Sequence, residues 1–135
     1  MANRRMVLVV RKDLALPEGL AMAQASHLCD EWLRKRVLKS HADMQGKVDL
    51  QEMFSPDEFE WMESPTVSVL AVNTREELAA IQVEAMGAKL PFIEWHDTIH
   101  SPLLDRYIPN VPVGIAIGPV DDDKVKPVTG KLPLY

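Results

Sequence analysis

The apolar run Met6 to Val10, MVLVV, constrains this chain more than any other stretch. A strand with one solvated face alternates apolar and polar residues, whereas an unbroken run rich in β-branched side chains is the pattern of a strand covered on both faces. The rest of the chain must then supply helices for two layers. A length of 135 residues suits one domain with a substantial core, and residues 1–135 are read as a single domain.

The remaining elements follow from periodicity and punctuation. Pro17 and Glu18 suit a first helical turn, and Ala21, Ala25, Leu28 and Trp32 recur at helical spacing, predicting a helix that ends near Ser40. Ser55-Pro56-Asp57-Glu58 matches a capping box opening a short helix to about Glu63. Thr66 to Val72 reads as a second strand. Thr74-Arg75-Glu76-Glu77 is a second capping box, for a helix that Gly87 closes. Leu90 to Trp95 and Val111 to Ile117 are the last two strands, joined by an irregular loop holding Asp97, His100, Ser101, Pro102 and Pro109. Leu132 to Tyr135 is read as a small edge strand. Right-handed crossovers and a final antiparallel pair give an α/β class: a mixed sheet of about four strands with helices on both faces.

Several function classes are excluded or made remote. No glycine-rich loop follows the first strand, which removes dinucleotide and nucleoside triphosphate readings. The single cysteine, Cys29, leaves no disulfide framework and no cysteine zinc site; mid-helix, it reads as a structural thiol. His41, His96 and His100, with Asp97, make no recognised ligand spacing, so no metal site is expected. No apolar run reaches the ~18 residues of a membrane span, and the start lacks the features of a signal peptide, so a cytoplasmic location is expected. Met6, Met22, Met44, Met53, Met62 and Met86 read as core filler. Trp61 reads as packing against the domain, with a partner contact as the alternative.

The net charge of −5 hides a polarity along the chain. Residues 1–40 carry +4, residues 41–63 carry −6 and the remainder −3. An anionic partner is expected on the surface bearing Arg4, Arg5, Arg11, Lys12 and Arg34-Lys35-Arg36, the alternative being solvated element ends.

Within the first helix, GLAMAQASHL places Gln24 and His27 among small residues. At 100° per residue, Leu20, Gln24, His27 and Glu31 form a stripe about 110° from the centre of the apolar stripe. A polar pair at that border, with Ala23, Ala25 and Ser26 around it, lets a ligand or another backbone come close while offering hydrogen bonds. The alternative is that both side chains merely satisfy neighbouring backbone groups.

These residues carry a resemblance. VLVVRKDL followed by GLAMAQASHL resembles the start of the type II peptidyl-tRNA hydrolases, where a strand ending in R-x-D-L leads to a helix reading G-K-x-A-A-Q-x-S-H-A; Gly19, Ala23, Gln24, Ser26 and His27 match. Leu90-Pro91 with Asp97, Ile117-Gly118-Pro119 and Val128-Thr129-Gly130-Lys131-Leu132 are similar to three further segments of that family, in order. Residues 41–63 look longer and more acidic than the family usually carries, and the loop before the last strand runs about four residues longer. Leu20 replaces the family's lysine. After Asp97 the family's A-G-R-T-Q becomes Thr98-Ile99-His100-Ser101-Pro102, where Ser101 is placed to keep a hydroxyl and His100 to replace an arginine.

The resemblance implies hydrolysis of the ester linking a peptide to tRNA, without cofactor, with peptidyl-tRNA as partner and a homodimer as a frequent assembly. The chemistry needs a positioned water, a group accepting its proton and donors facing the oxyanion. Asp97 is the first candidate to orient or deprotonate that water, directly or through His100. Ser101 or Gln24 are candidate donors, with Gly19 at a helix start suited to phosphate or oxyanion, and His27, Lys12 and Arg11 on the substrate side. Lys12 or Arg106 are the candidates to replace the missing lysine. The structural alternatives are a loop aspartate capping its own turn, an exposed loop histidine and a turn hydroxyl. A family member that binds tRNA or protein without cleaving remains the second reading, and a small hydrolase of another acyl ester or amide the third.

Overall fold

The computed structural model describes residues 3–43, 45–47, 49–101 and 103–135. The chain runs β1 (Arg4–Arg11), a 3₁₀ turn (Lys12–Leu14), α1 (Glu18–Asp43), α2 (Leu50–Met53), α3 (Pro56–Glu63), β2 (Val67–Val72), α4 (Arg75–Gly87), β3 (Phe92–Ser101), β4 (Arg106–Asp121) and α5 (Asp122–Thr129). Among the described residues the strands form one four-stranded sheet in the order β2-β1-β4-β3, with β1 parallel to β2 and β4 antiparallel to both β1 and β3. The α/β class with a mixed sheet and two helical layers is as expected.

β1 is covered on both faces. Met6, Leu8 and Val10 pack with Leu28, Trp32, Phe54 and Trp61 of the α1–α3 layer, while Val7 and Val9 pack with Leu78 and Ile81 of α4 and Val125 and Val128 of α5. Trp61 belongs to the core, edge-on to Trp32 at 5.6 Å, its indole N–H donating to the Thr66 carbonyl at 3.0 Å. The methionines divide. Met6 is core and Met53 and Met62 pack against it, but Met22 and Met86 are exposed, because they fall on helix faces turned from the sheet; Met44 lies outside the described residues.

The capping box at Ser55 is complete: its hydroxyl accepts from the Glu58 amide at 3.2 Å and the Glu58 carboxylate accepts from the Ser55 amide at 3.0 Å. Ser55→Ala is expected to cost about 1 kcal/mol, read from chemical denaturation. At α4 the reciprocal half of the expected box reaches one residue further back, to the Asn73 amide at 2.7 Å. α4 ends at Gly87 as expected, but the left-handed residue beyond it is Lys89, at φ 57°.

The expected irregular loop is instead a long β-hairpin. β3 extends to Ser101 and β4 begins at Arg106, and the two register shifts in their pairing place the extra residues on β4, around Val113 and at Pro109-Asn110. Asn110 takes φ 54°, and Pro109 has no amide to lose from the ladder, so turn-type residues are absorbed as a bulge. Pro102 lies outside the described residues. Sequence reading also missed α2, capped by Asp49, and α5, which contains Pro127. The edge strand expected at the C-terminus is one bridge, Leu134 to Leu70.

The charge polarity folds upon itself. Arg4 meets Asp57 at 3.0 Å, Glu60 at 3.1 Å and Asp121 at 3.4 Å, and Arg36 pairs with Glu58. Arg5 pairs with Asp122, Arg11 with Asp13 and Arg34 with Glu31. The five arginines of that basic stretch thus each have an ion-pair partner within the chain, two of them in the acidic segment 41–63.

Candidate active site

α1 seats with its core face rotated about 50° toward the polar stripe from the expected orientation. Gln24 and Glu31 are buried alongside Leu28 and Trp32, while Ala21 and Ala25 are half-buried. The rotation follows from what lies beneath. Gln24, 1% exposed, points onto β3, where Trp95 and Asp97 satisfy both ends of its amide.

The Trp95 indole N–H donates to Gln24 Oε1 at 2.7 Å, and Gln24 Nε2 donates to Asp97 Oδ2 at 2.9 Å. Asp97 Oδ1 accepts from the Thr98 amide at 2.8 Å. The imidazole of His27, one turn along α1 from Gln24, stacks on the Trp95 ring with centroids 4.7 Å apart and planes 24° from parallel. The carboxylate after the core of β3 thus converges with the amide and imidazole of α1 in one site. Among the described residues no Lys, Arg or His ion-pairs with Asp97. Neutral N–H donors hold the half-buried carboxylate and leave further lone pairs on both oxygens, enough to bind and polarise a water.

Other predicted residues fall elsewhere. β3 itself is regular, so its side chains alternate. That sends Trp95, Asp97, Ile99 and Ser101 to the α1 face and His100 to the other, where it sits edge-on to Tyr107 at 5.1 Å and 3.5 Å from Asp105. A relay from Asp97 through His100 is not what this geometry offers. Ser101 shares the face of Asp97 but lies about 13 Å along the strand, and its hydroxyl accepts from the Leu104 amide at 3.3 Å, the turn role. Arg11 is held by Asp13 at 2.8 Å and by the Pro112 carbonyl at 3.1 Å, and Lys12 lies over the Tyr135 ring at 5.6 Å. Neither these two nor Arg106 reaches Asp97 as an ion pair.

Gly19 stands in the first turn of α1 with nothing within 4 Å of where a side chain would begin. Leu20, 44% exposed, is one turn before Gln24 on the same side of the helix. The first turn of α1, the positive end of its dipole, lies about 9 Å along the helix from Gln24. Cys29 is half-buried with its sulfur 3.9 Å from that of Met6, and burial pushes its thiol pKa up, as befits a structural thiol.

Trp95 is the site residue that sequence reading missed. No local signal pointed to it, because Asp97 was expected in a loop; only with β3 extended to Ser101 do the two residues share a strand face. The other matching segments do structural work. The Gly118 amide donates to the Pro91 carbonyl at 2.9 Å, and Gly118 holds φ 101° where a methyl would lie 2.7 Å from the Arg5 carbonyl oxygen. Thr129 is buried, its hydroxyl donating to the Val125 carbonyl at 3.2 Å.

Fold and site together define an α/β protein with an open site built on one carboxylate, a buried amide and a stacked imidazole. The chain matches the family described as "Peptidyl-tRNA hydrolase PTH2" over residues 4–135. It is 30% identical over 135 residues to the "Peptidyl-tRNA hydrolase" of Methanocaldococcus jannaschii, covering 96% of this chain and 98% of the relative. The chain belongs to the peptidyl-tRNA hydrolase PTH2 family.

Proposed function

We propose that this protein hydrolyses peptidyl-tRNA, the substrate of its family, with Asp97 as the group that orients and deprotonates the attacking water. The observation that carries the activity is the family match across residues 4–135. The assignment of Asp97 is supported by its contact with buried Gln24 at 2.9 Å, which fixes the carboxylate at an open surface. The water oxygen attacks the ester carbonyl while its proton passes to Asp97. Collapse of the tetrahedral intermediate breaks the bond to the ribose oxygen, which takes up a proton, releasing a free peptide carboxylate and a tRNA with its terminal hydroxyl restored. The open start of α1 at Gly19 serves the oxyanion or a substrate phosphate. His27 meets the ribose or base with its outward face. On this reading His100 and Ser101 stay outside the chemistry, and Lys12 and Arg11 make no direct contact with Asp97.

Release of the acyl group from N-blocked aminoacyl-tRNA tests the activity. Turnover with purified protein is expected; tRNA binding without cleavage would leave a binding module instead. Leu20→Lys places a cation one turn above Gln24, beside an anionic substrate, and is expected to raise kcat/KM about tenfold at low salt, with the gain shrinking as salt rises. An unchanged kcat/KM would show that another cation already fills this role.

No helix among the described residues is long and apolar enough to cross a membrane. A cytoplasmic site of action in translation, a single domain spanning the chain and a homodimeric assembly complete the reading on the strength of the family resemblance. Sedimentation velocity reads the last of these directly.

A further inference from the structure

We propose that Trp95 is a positioning residue for hydrolysis: its indole N–H locks the Gln24 carboxamide in the one orientation that presents an N–H to Asp97. The proposal rests on the reading of Asp97 as the group acting on water. A carboxamide has a donor end and an acceptor end of nearly equal size, and nothing in its shape decides which faces a neighbour. Gln24 is 1% exposed and has a polar neighbour at each end, Trp95 Nε1 at 2.7 Å and Asp97 Oδ2 at 2.9 Å. An indole nitrogen only donates and a carboxylate only accepts. The observed orientation satisfies both, whereas a flipped amide would set donor against donor at Trp95 and oxygen against oxygen at Asp97.

Geometry makes the clamp local to one strand. Trp95 and Asp97 are two residues apart on β3, hence on one face, and Gln24 descends from α1 between them. The same Trp95 ring carries the stacked His27 at 4.7 Å, so one side chain sets both the amide and the imidazole of the site. Trp95 touches neither the reacting water nor the ester in this scheme; it acts through Gln24.

Trp95→Phe keeps an aromatic surface for His27 and deletes the N–H together with part of the bicyclic ring, whose packing loss the thermal midpoint reads. Without that donor the Gln24 oxygen loses its partner and the amide samples the flipped state. In steady-state hydrolysis of N-blocked aminoacyl-tRNA, kcat is expected to fall about tenfold with KM within about twofold. In a Gln24→Met background the same substitution is expected to change kcat by less than about twofold, because the amide it positions is gone. A thermal midpoint for each variant and the Trp95 indole N–H resonance report the fold and the contact: in the unaltered protein the resonance is protected from exchange, and in Gln24→Met it is not. Unchanged kcat in Trp95→Phe, or an equal loss in both backgrounds, would overturn the proposal. No turnover by the unaltered protein would overturn the hydrolase reading, and this proposal with it.

Discussion

Asp97→Asn is expected to lower kcat for peptidyl-tRNA hydrolysis by about a thousandfold, within the range that a positioned general base contributes. The substitution is nearly isosteric, but it removes the proton acceptor and spoils a matched set of contacts. Asp97 receives one N–H from Gln24 at 2.9 Å and one from the Thr98 amide at 2.8 Å, each on a different oxygen. Asparagine has a single oxygen, so one of those donors must face an NH₂ group. Its thermal midpoint is expected to fall only a few degrees, since the lost hydrogen bond is half-exposed. A variant that kept more than about a tenth of the wild-type kcat would remove Asp97 from the base role.

Gly114→Ala is expected to destabilise the fold by about 3 kcal/mol, with a fall in thermal midpoint of about 10 °C. A methyl at Gly114 would lie 2.5 Å from the Val9 carbonyl oxygen, 3.3 Å from Val10 Cα and 3.2 Å from Leu28 Cδ1. The first two are backbone atoms of β1, where Val10 pairs with Gly114 itself, so relief requires opening the central ladder. The third is the side chain that seats α1 on the sheet, four residues after Gln24. Gly19→Ala is the stability control, because nothing lies within 4 Å of its new methyl. Equal midpoints for the two variants would contradict the close packing of α1 over β4.

The long elements were legible because each declared itself locally. MVLVV required cover on two faces and received it; the proline and polar signals around Glu18, Ser55 and Thr74 marked real helix starts. The β3–β4 hairpin was read as a loop because Pro109 and Asn110 are turn residues in most settings, and here the partner strand holds them in a bulge. α5 was hidden by Pro127, although Val125 and Val128 of that short helix are buried against the sheet and α4. The internal pairing of the charges was hidden for a related reason. Counting along the chain cannot show that Arg4 and Arg36 meet Asp57, Glu58 and Glu60.

By itself the sequence determined the α/β class, the two helical layers and the family to which the chain belongs, along with Gln24, His27 and Asp97 as the residues to watch. These follow from local periodicity and from motifs that travel as short strings. Only the tertiary structure decided which candidates share a site. Strand alternation separated His100 from Asp97, ion pairing engaged the five arginines of residues 1–40, and the rotation of α1 brought a buried amide between an indole that only donates and a carboxylate that only accepts. The last of these depends on contacts across 71 and 73 residues of chain, and no local pattern encodes which of two distant side chains will face the other.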